Sequence, residues 1–148
     1  DISAGQLIDR TGVLLGLQFP AGKALDALSA QAEKVKPFPV KVENCTFSLS
    51  GMENKVKQMA EKGEAPETVA RFALETVARA VVKATRQALE RFPGLPVLCS
   101  GGVASNSLLR QVMERECGAI FAQPRFSTDN AMGTAILTWR ALERERTQ

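Results

Sequence analysis

The sequence predicts a helix-rich α/β fold, and three observations carry that expectation. Two short apolar runs, Val97–Cys99 and Ala119–Ala122, are each followed by residues with a helical apolar period, which reads as strand–helix–strand–helix. A long apolar series at three- and four-residue spacing, Val69, Phe72, Ala73, Val77, Val81, Ala84, Ala88 and Phe92, precedes them and predicts one extended helix. Proline and glycine pairs punctuate the chain at Lys36-Pro37-Phe38-Pro39 and Pro93-Gly94. An open sheet covered by helices would bind its ligand beyond the carboxyl ends of the strands.

From the N-terminus, Ile2 to Leu17 reads as a helix ending near Gly16, with Leu7, Ile8, Val13, Leu14 and Leu15 on its apolar side. Gly22 to Lys34 is a second helix, broken by the proline-rich segment after it. Cys45 to Leu49 suits a short strand, and Gly51 to Lys62 a helix carrying Val56 and Met59. Pro66 suits the first position of the long helix, because its missing N–H is not needed there. The run Val97–Cys99 predicts a strand buried on both faces. A helix follows from about Val103, with Leu108, Leu109, Val112 and Met113 facing inward. The last helix presents Met132, Ala135, Ile136, Trp139 and Leu142, and the charged tail Arg140–Gln148 is expected to fray.

The segment Pro96–Asn106 is the strongest functional signal. Gly101 and Gly102 let the backbone approach a ligand without an intervening side chain, and the following helix N-terminus would turn free amides toward an anion. An ordinary tight strand-to-helix turn would use the same glycines. In Phe126-Ser127-Thr128-Asp129-Asn130, Ser127 or Thr128 can cap the last helix, with Asp129 in its first turn. Asp129 could instead hold a metal ion through its oxygens.

Composition narrows the classes. The 148 residues suit one domain, and 45% apolar content is ordinary for a globular chain. A net charge of +3 permits contact with nucleic acid without demanding it. The nearest candidate patch is Arg79, Lys83 and Arg86, although a solvated helix face with Glu75 supporting Arg79 explains the same residues. Cys45, Cys99 and Cys117 are odd in number and lack Cys-x-x-Cys spacing, so reduced thiols in a cytoplasmic protein are expected. No run approaches the roughly twenty apolar residues of a membrane span. A protease reading has little support, since no nucleophile is paired with a histidine and no His-Glu-x-x-His helix exists.

Five motifs then occur in order: Asp1-Ile2-Ser3-Ala4-Gly5-Gln6-Leu7-Ile8-Asp9-Arg10, Leu14-Leu15-Gly16-Leu17 with Phe19-Pro20-Ala21-Gly22, Phe47-Ser48-Leu49-Ser50-Gly51, Ser100-Gly101-Gly102-Val103-Ala104-Ser105-Asn106, and Ser127-Thr128-Asp129-Asn130. Together they resemble the TsaD family of tRNA threonylcarbamoyltransferases, long labelled glycoproteases. The resemblance runs over essentially the whole chain but matches only the C-terminal portion of a family member, so a piece of a longer protein is expected. It implies the helix-rich C-terminal lobe of an actin-like ATPase fold (ASKHA, ribonuclease H-like). It also divides the chain into a helical nucleotide-site segment, 1–95, and a strand–helix–strand–helix core, 96–148.

The resemblance implies roles residue by residue. Asp9 and Gly22 would line the site for ATP or threonylcarbamoyl-adenylate, and Asp26 would hold the ribose. Gly101, Gly102 and Asn106 would contact the same ligand, and Asp129 would ligate one divalent metal, iron or zinc. The family's other metal ligands are two histidines of the N-terminal half, and this chain contains no histidine. One carboxylate is a poor divalent site, so the chain alone is expected to bind no catalytic metal with useful affinity. The implied partners are tRNA, TsaB-like and TsaE-like proteins, and the missing N-terminal lobe that forms the other wall of the cleft. Four departures stand out: Ile2 and Gln6 where carboxylates are usual, Ala21 for the first glycine of Pro-Gly-Gly, and Met52-Glu53-Asn54 for Leu-Lys-Thr. They suggest a divergent paralogue and keep open a catalytically silent actin-like scaffold that binds nucleotide and a partner subunit. Another actin-like phosphotransferase, such as a sugar or acetate kinase, also stays open.

Overall fold

One long helix organises the molecule. In the computed structural model, which describes residues 1–123, 127 and 130–146, it spans Pro66–Arg91 and buries two faces at once. Numbered in chain order, the helices are α1 (Ala4–Leu14), α2 (Gly22–Ser29), α3 (Ser50–Glu61), α4 (Pro66–Arg91), α5 (Ser107–Cys117) and α6 (Asn130–Arg146). The strands are β1 (Val42–Glu43), β2 (Thr46–Phe47), β3 (Leu98–Cys99) and β4 (Ile120–Phe121).

On α4, Val69, Phe72, Ala73, Val77 and Ala80 join Leu7, Leu49, Met52 and Val56 in one apolar cluster. Ala70, Leu74, Ala78 and Val82 face the other way, into a second cluster with Ile8, Leu25, Leu108, Leu109, Val112 and Met113. Burial of each large side chain there stabilises the fold by roughly 1.5–3 kcal/mol. The second cluster joins the 1–95 and 96–148 segments. Polar side chains fix what lies over α4. The Thr76 hydroxyl donates to the Phe72 carbonyl and accepts from the Phe38 amide at 2.9 Å, and Gln87 accepts from the Cys45 amide and donates to the Val42 carbonyl.

The expected strand at 45–49 is shorter, and its partner β1 was not foreseen. Val42 pairs with Phe47 and Glu43 with Thr46, antiparallel, around Asn44 and Cys45, which have φ of 51° and 62°. Two consecutive positive φ values define the two-residue hairpin turn that matches strand twist. Helix α1 stops at Leu14, two residues before Gly16, and α2 stops at Ser29 rather than Lys34. The Ser29 hydroxyl donates to the Asp26 carbonyl, a local bond that competes with helix continuation.

In the C-terminal part, β3 and β4 pair in parallel, Leu98 with Ile120 and Cys99 with Phe121. The expectation that Val97–Cys99 is buried on both faces is corrected: Leu98 is 75% exposed, because no element among the described residues covers that face. Helix α6 extends to Arg146, further than a tail fraying from Arg140, yet Ile136, Trp139 and Leu142 of its apolar stripe stand exposed. The helix expected from Val103 is instead a 3-10 turn, Val103–Ser105, then an extended residue at Asn106, then α5. A further correction concerns Arg79. Glu75 pairs with Arg71 at 2.9 Å, while Arg79 crosses to Glu116 on α5, where Arg86 and Arg115 also converge. Those three guanidiniums, Arg115 foremost, hold the Glu116 carboxyl below its ordinary pKa. The three cysteines are unpaired, and burial pushes the Cys99 and Cys117 thiols up. No helix among the described residues is long and apolar enough to cross a membrane.

Candidate nucleotide-binding site

The site is built where α1, α2 and the Gly101–Asn106 loop meet. Ser3 starts α1 with a reciprocal cap: its hydroxyl accepts from the Gln6 amide at 3.2 Å, and the Gln6 carboxamide accepts from the Ser3 amide at 2.9 Å. Either Glu or Gln closes such a box, so Gln6 retains a structural role at this position. Two turns on, Asp9 accepts a 2.8 Å hydrogen bond from the Ala21 amide, which holds the Phe19–Gly22 turn against α1. That turn contains a cis Phe19-Pro20 peptide.

Ala21 is fully buried and has φ of −89°, a conformation any residue adopts, so the place of a glycine is filled there without backbone strain. Its methyl lies where Gly12 presents bare backbone. A Cβ built on Gly12 would fall 2.2 Å from the Ala21 Cβ. Close approach of turn and helix therefore depends on Gly12.

Asp26, one turn into α2, reaches the start of α5. Its two oxygens accept from the Ser107 amide at 2.8 Å and the Ser107 hydroxyl at 2.9 Å. Asn106 caps α5, its side-chain oxygen accepting from the Leu109 amide at 2.9 Å. Of the first amides of α5, which the sequence turned toward an anion, those of Ser107 and Leu109 are already satisfied, by Asp26 and Asn106. Gly101 has φ of +102°, which favours glycine, and the Ser127 hydroxyl both accepts from its amide and donates to its carbonyl. Arg110 clamps the far side, donating to the Ala104 and Ala122 carbonyls and lying over the Phe121 ring.

Between these elements lies a cavity of about 920 Å3. Five of the residues singled out from the sequence line it: Asp9, Gly22, Asp26, Gly102 and Asn106. Gly101 does not line it; Ser127 fixes it behind the loop. Asp129 lies outside the described residues. Two polar side chains of the lining were not singled out as site residues. Lys23 is one of the lining residues, and the Ser105 hydroxyl is buried without a hydrogen-bond partner among the described residues. Lys23 follows the Pro20-Ala21-Gly22 turn directly and was legible as a cation beside it, whereas the position of Ser105 depends on the 3-10 turn. Chemically the cavity offers carboxylates for hydroxyl donors, a cation for an anion, and two glycines where a flat ligand can lie on backbone.

Comparison with known proteins gives the same direction. The family model described as TsaD, tRNA N6-adenosine threonylcarbamoyltransferase, matches residues 1–136. The protein of that name from a strain of Thermus thermophilus is 33% identical over 152 residues, covering 97% of this chain and 46% of the relative. Those from Carboxydothermus hydrogenoformans and Paramagnetospirillum magneticum are 38% and 32% identical, covering 75% and 99% of this chain and 35% and 47% of the relatives. The chain thus spans less than half the length of these relatives, and over that span it belongs to the TsaD family of tRNA N6-adenosine threonylcarbamoyltransferases.

Proposed function

We propose that this chain supplies the nucleotide-binding wall of a tRNA adenosine threonylcarbamoyltransferase with an actin-like fold, acting in the cytoplasm with TsaB-like and TsaE-like partners. The observation that carries the reading is the convergence of Asp9, Gly22, Asp26, Gly102 and Asn106 on one cavity. Threonylcarbamoyl-adenylate presents ribose hydroxyls, a phosphate and an acyl group. Asp26 already accepts two bonds from Ser107, and a carboxylate has about four acceptor sites, so it can take ribose hydroxyls as well. Lys23 and the unpartnered Ser105 hydroxyl are the donors for the phosphate. Glycines at 22 and 102 admit the adenine without side-chain conflict.

In the transfer, the exocyclic amine of the acceptor adenosine forms a bond to the carbamoyl carbon. The bond from that carbon to the phosphate oxygen breaks, AMP departs, and the amine loses a proton. The chain's contribution is to hold the adenylate in place, so that attack is effectively intramolecular. A divalent metal, iron or zinc in this reading, would polarise the acyl carbonyl when bound. This chain does not make such a site among its described residues. It has no histidine, and no group of three or more Cys, Asp or Glu is gathered among the described residues. The remaining ligands would come from the rest of the whole protein.

The test is transfer of labelled threonylcarbamoyl to tRNA by the whole protein, with its partners, comparing wild type with Asp129→Ala and Lys23→Ala. Loss of transfer in Asp129→Ala and weakened adenylate binding in Lys23→Ala are expected. Adenylate binding with no transfer from the folded wild type would instead support the scaffold reading, which Ile2 and Gln6 motivate.

A further inference from the structure

We propose that Ser127 is a positioning residue of the nucleotide site: its hydroxyl grips Gly101 from both ends and fixes the glycine loop in the form that receives the ligand. The Gly101 amide donates to the Ser127 hydroxyl at 2.9 Å, and the same hydroxyl donates to the Gly101 carbonyl at 3.0 Å. The inference rests on the nucleotide reading of the cavity, which Gly102, Ser105 and Asn106 of that loop line while Ser127 does not.

The loop needs such a hold. Among the described residues, the pairing of β3 with β4 reaches the Cys99 carbonyl, which accepts from the Ala122 amide at 3.2 Å, and goes no further. Gly101 lies beyond it with φ of +102°, and a glycine has several backbone conformations of similar energy. Packing does not choose among them: a Cβ built on Gly101 or Gly102 would meet no atom of the described residues within 4 Å. The Ser127 hydroxyl does, because a hydroxyl accepts and donates at once and so satisfies both backbone groups of one residue. The consequence travels forward along the chain. In a planar trans peptide the carbonyl and the N–H point in opposite directions, so a Gly101 carbonyl held toward Ser127 turns the Gly102 amide away from it. Gly102 continues in helical conformation, with φ of −59° and ψ of −43°. Its carbonyl then accepts from the Ser105 amide at 3.1 Å, and the Val103 carbonyl from the Asn106 amide at 3.1 Å. One hydroxyl 26 positions away thus sets the origin of the turn that carries Ser105 and Asn106 into the cavity wall.

The experiment compares wild type, Ser127→Val and Ser127→Thr in the whole protein. It measures AMP binding by calorimetry, KM for the adenylate and kcat in the transfer assay, and amide hydrogen exchange of residues 100–106 without ligand. Valine and threonine have the same shape, and threonine alone keeps the hydroxyl. Ser127→Val should weaken AMP binding and raise that KM about three- to 30-fold with kcat little changed, because the competent loop becomes a fraction of the population. Exchange in the loop should quicken, and Ser127→Thr should restore all of these values toward wild type. AMP binding and loop exchange in Ser127→Val equal to wild type would overturn the proposal. So would a threonine variant as impaired as the valine one, or a loss of kcat with KM unchanged. Hydroxyl-dependent loop exchange in a folded wild type that binds no AMP would defeat the nucleotide reading, whereas the hold of Ser127 on the loop would stand.

Discussion

Replacing Gly12 by alanine should destabilise the chain, against the usual trend for a helical glycine. In an ordinary helix interior the substitution gains roughly 1 kcal/mol from propensity. Here the new methyl would lie 2.2 Å from the Ala21 Cβ, and the obstacle is a short, buried side chain that cannot swing aside. Relief to ordinary contact needs a shift of about 1.5 Å between α1 and the Phe19–Gly22 turn. Such a shift stretches the 2.8 Å Asp9–Ala21 hydrogen bond beyond bonding range. Overpacking costs about 1–3 kcal/mol and the lost bond about 1–3 more. Net of propensity, Gly12→Ala should cost about 1–5 kcal/mol, read by urea denaturation, and Ala21→Gly in the same chain should recover most of it. A Gly12→Ala variant as stable as wild type or more so, or a double variant no better than the single one, would refute the reasoning.

Two other outcomes follow from the same geometry. Asp26→Ala leaves the Ser107 amide and hydroxyl without their acceptor and should cost about 0.5–2 kcal/mol of stability, as helix N-terminal acceptors do, while weakening adenylate binding measured by calorimetry. Glu116→Gln should reduce stability in a pH-dependent way. The Glu116 pKa is held down in the fold, so its contribution is fully present above the ordinary carboxylate value of about 4.3 and fades as pH falls through the lower folded value. Denaturation of wild type and variant should therefore differ at pH 7 and converge in strong acid; a constant difference across that range would contradict the assignment.

The long helix and the glycine loop were legible because their signals are strong and local. Eight apolar residues in one helical period leave no alternative for α4, and Pro66 marks its start. The cavity residues were legible through the ordered motifs, although the contacts of Asp26 and Asn106 with α5 were not. Those contacts depend on the extended backbone at Asn106, which periodicity cannot reveal. Strand β1 escaped because two residues carry no alternation. The Arg79 partner escaped because i,i+4 spacing is a local rule, while Glu116 is 37 residues away and Glu75 has Arg71 in the opposite direction. Leu98 was expected to be buried because apolar runs report what a strand can bury, and they say nothing of whether a neighbour is present.

The Asp26 clasp on Ser107 joins residues 81 positions apart in the chain through one charged group. Anything that engages those oxygens, a sugar hydroxyl or a cation, is in contact through them with the first turn of α5 and with the loop that leads into it. Free-energy linkage is reciprocal, so a change that loosens the loop alters the grip of Asp26 on its ligand by the same amount. Occupancy at α2 and order at the Gly101–Asn106 loop are in this sense one equilibrium, observable from either end.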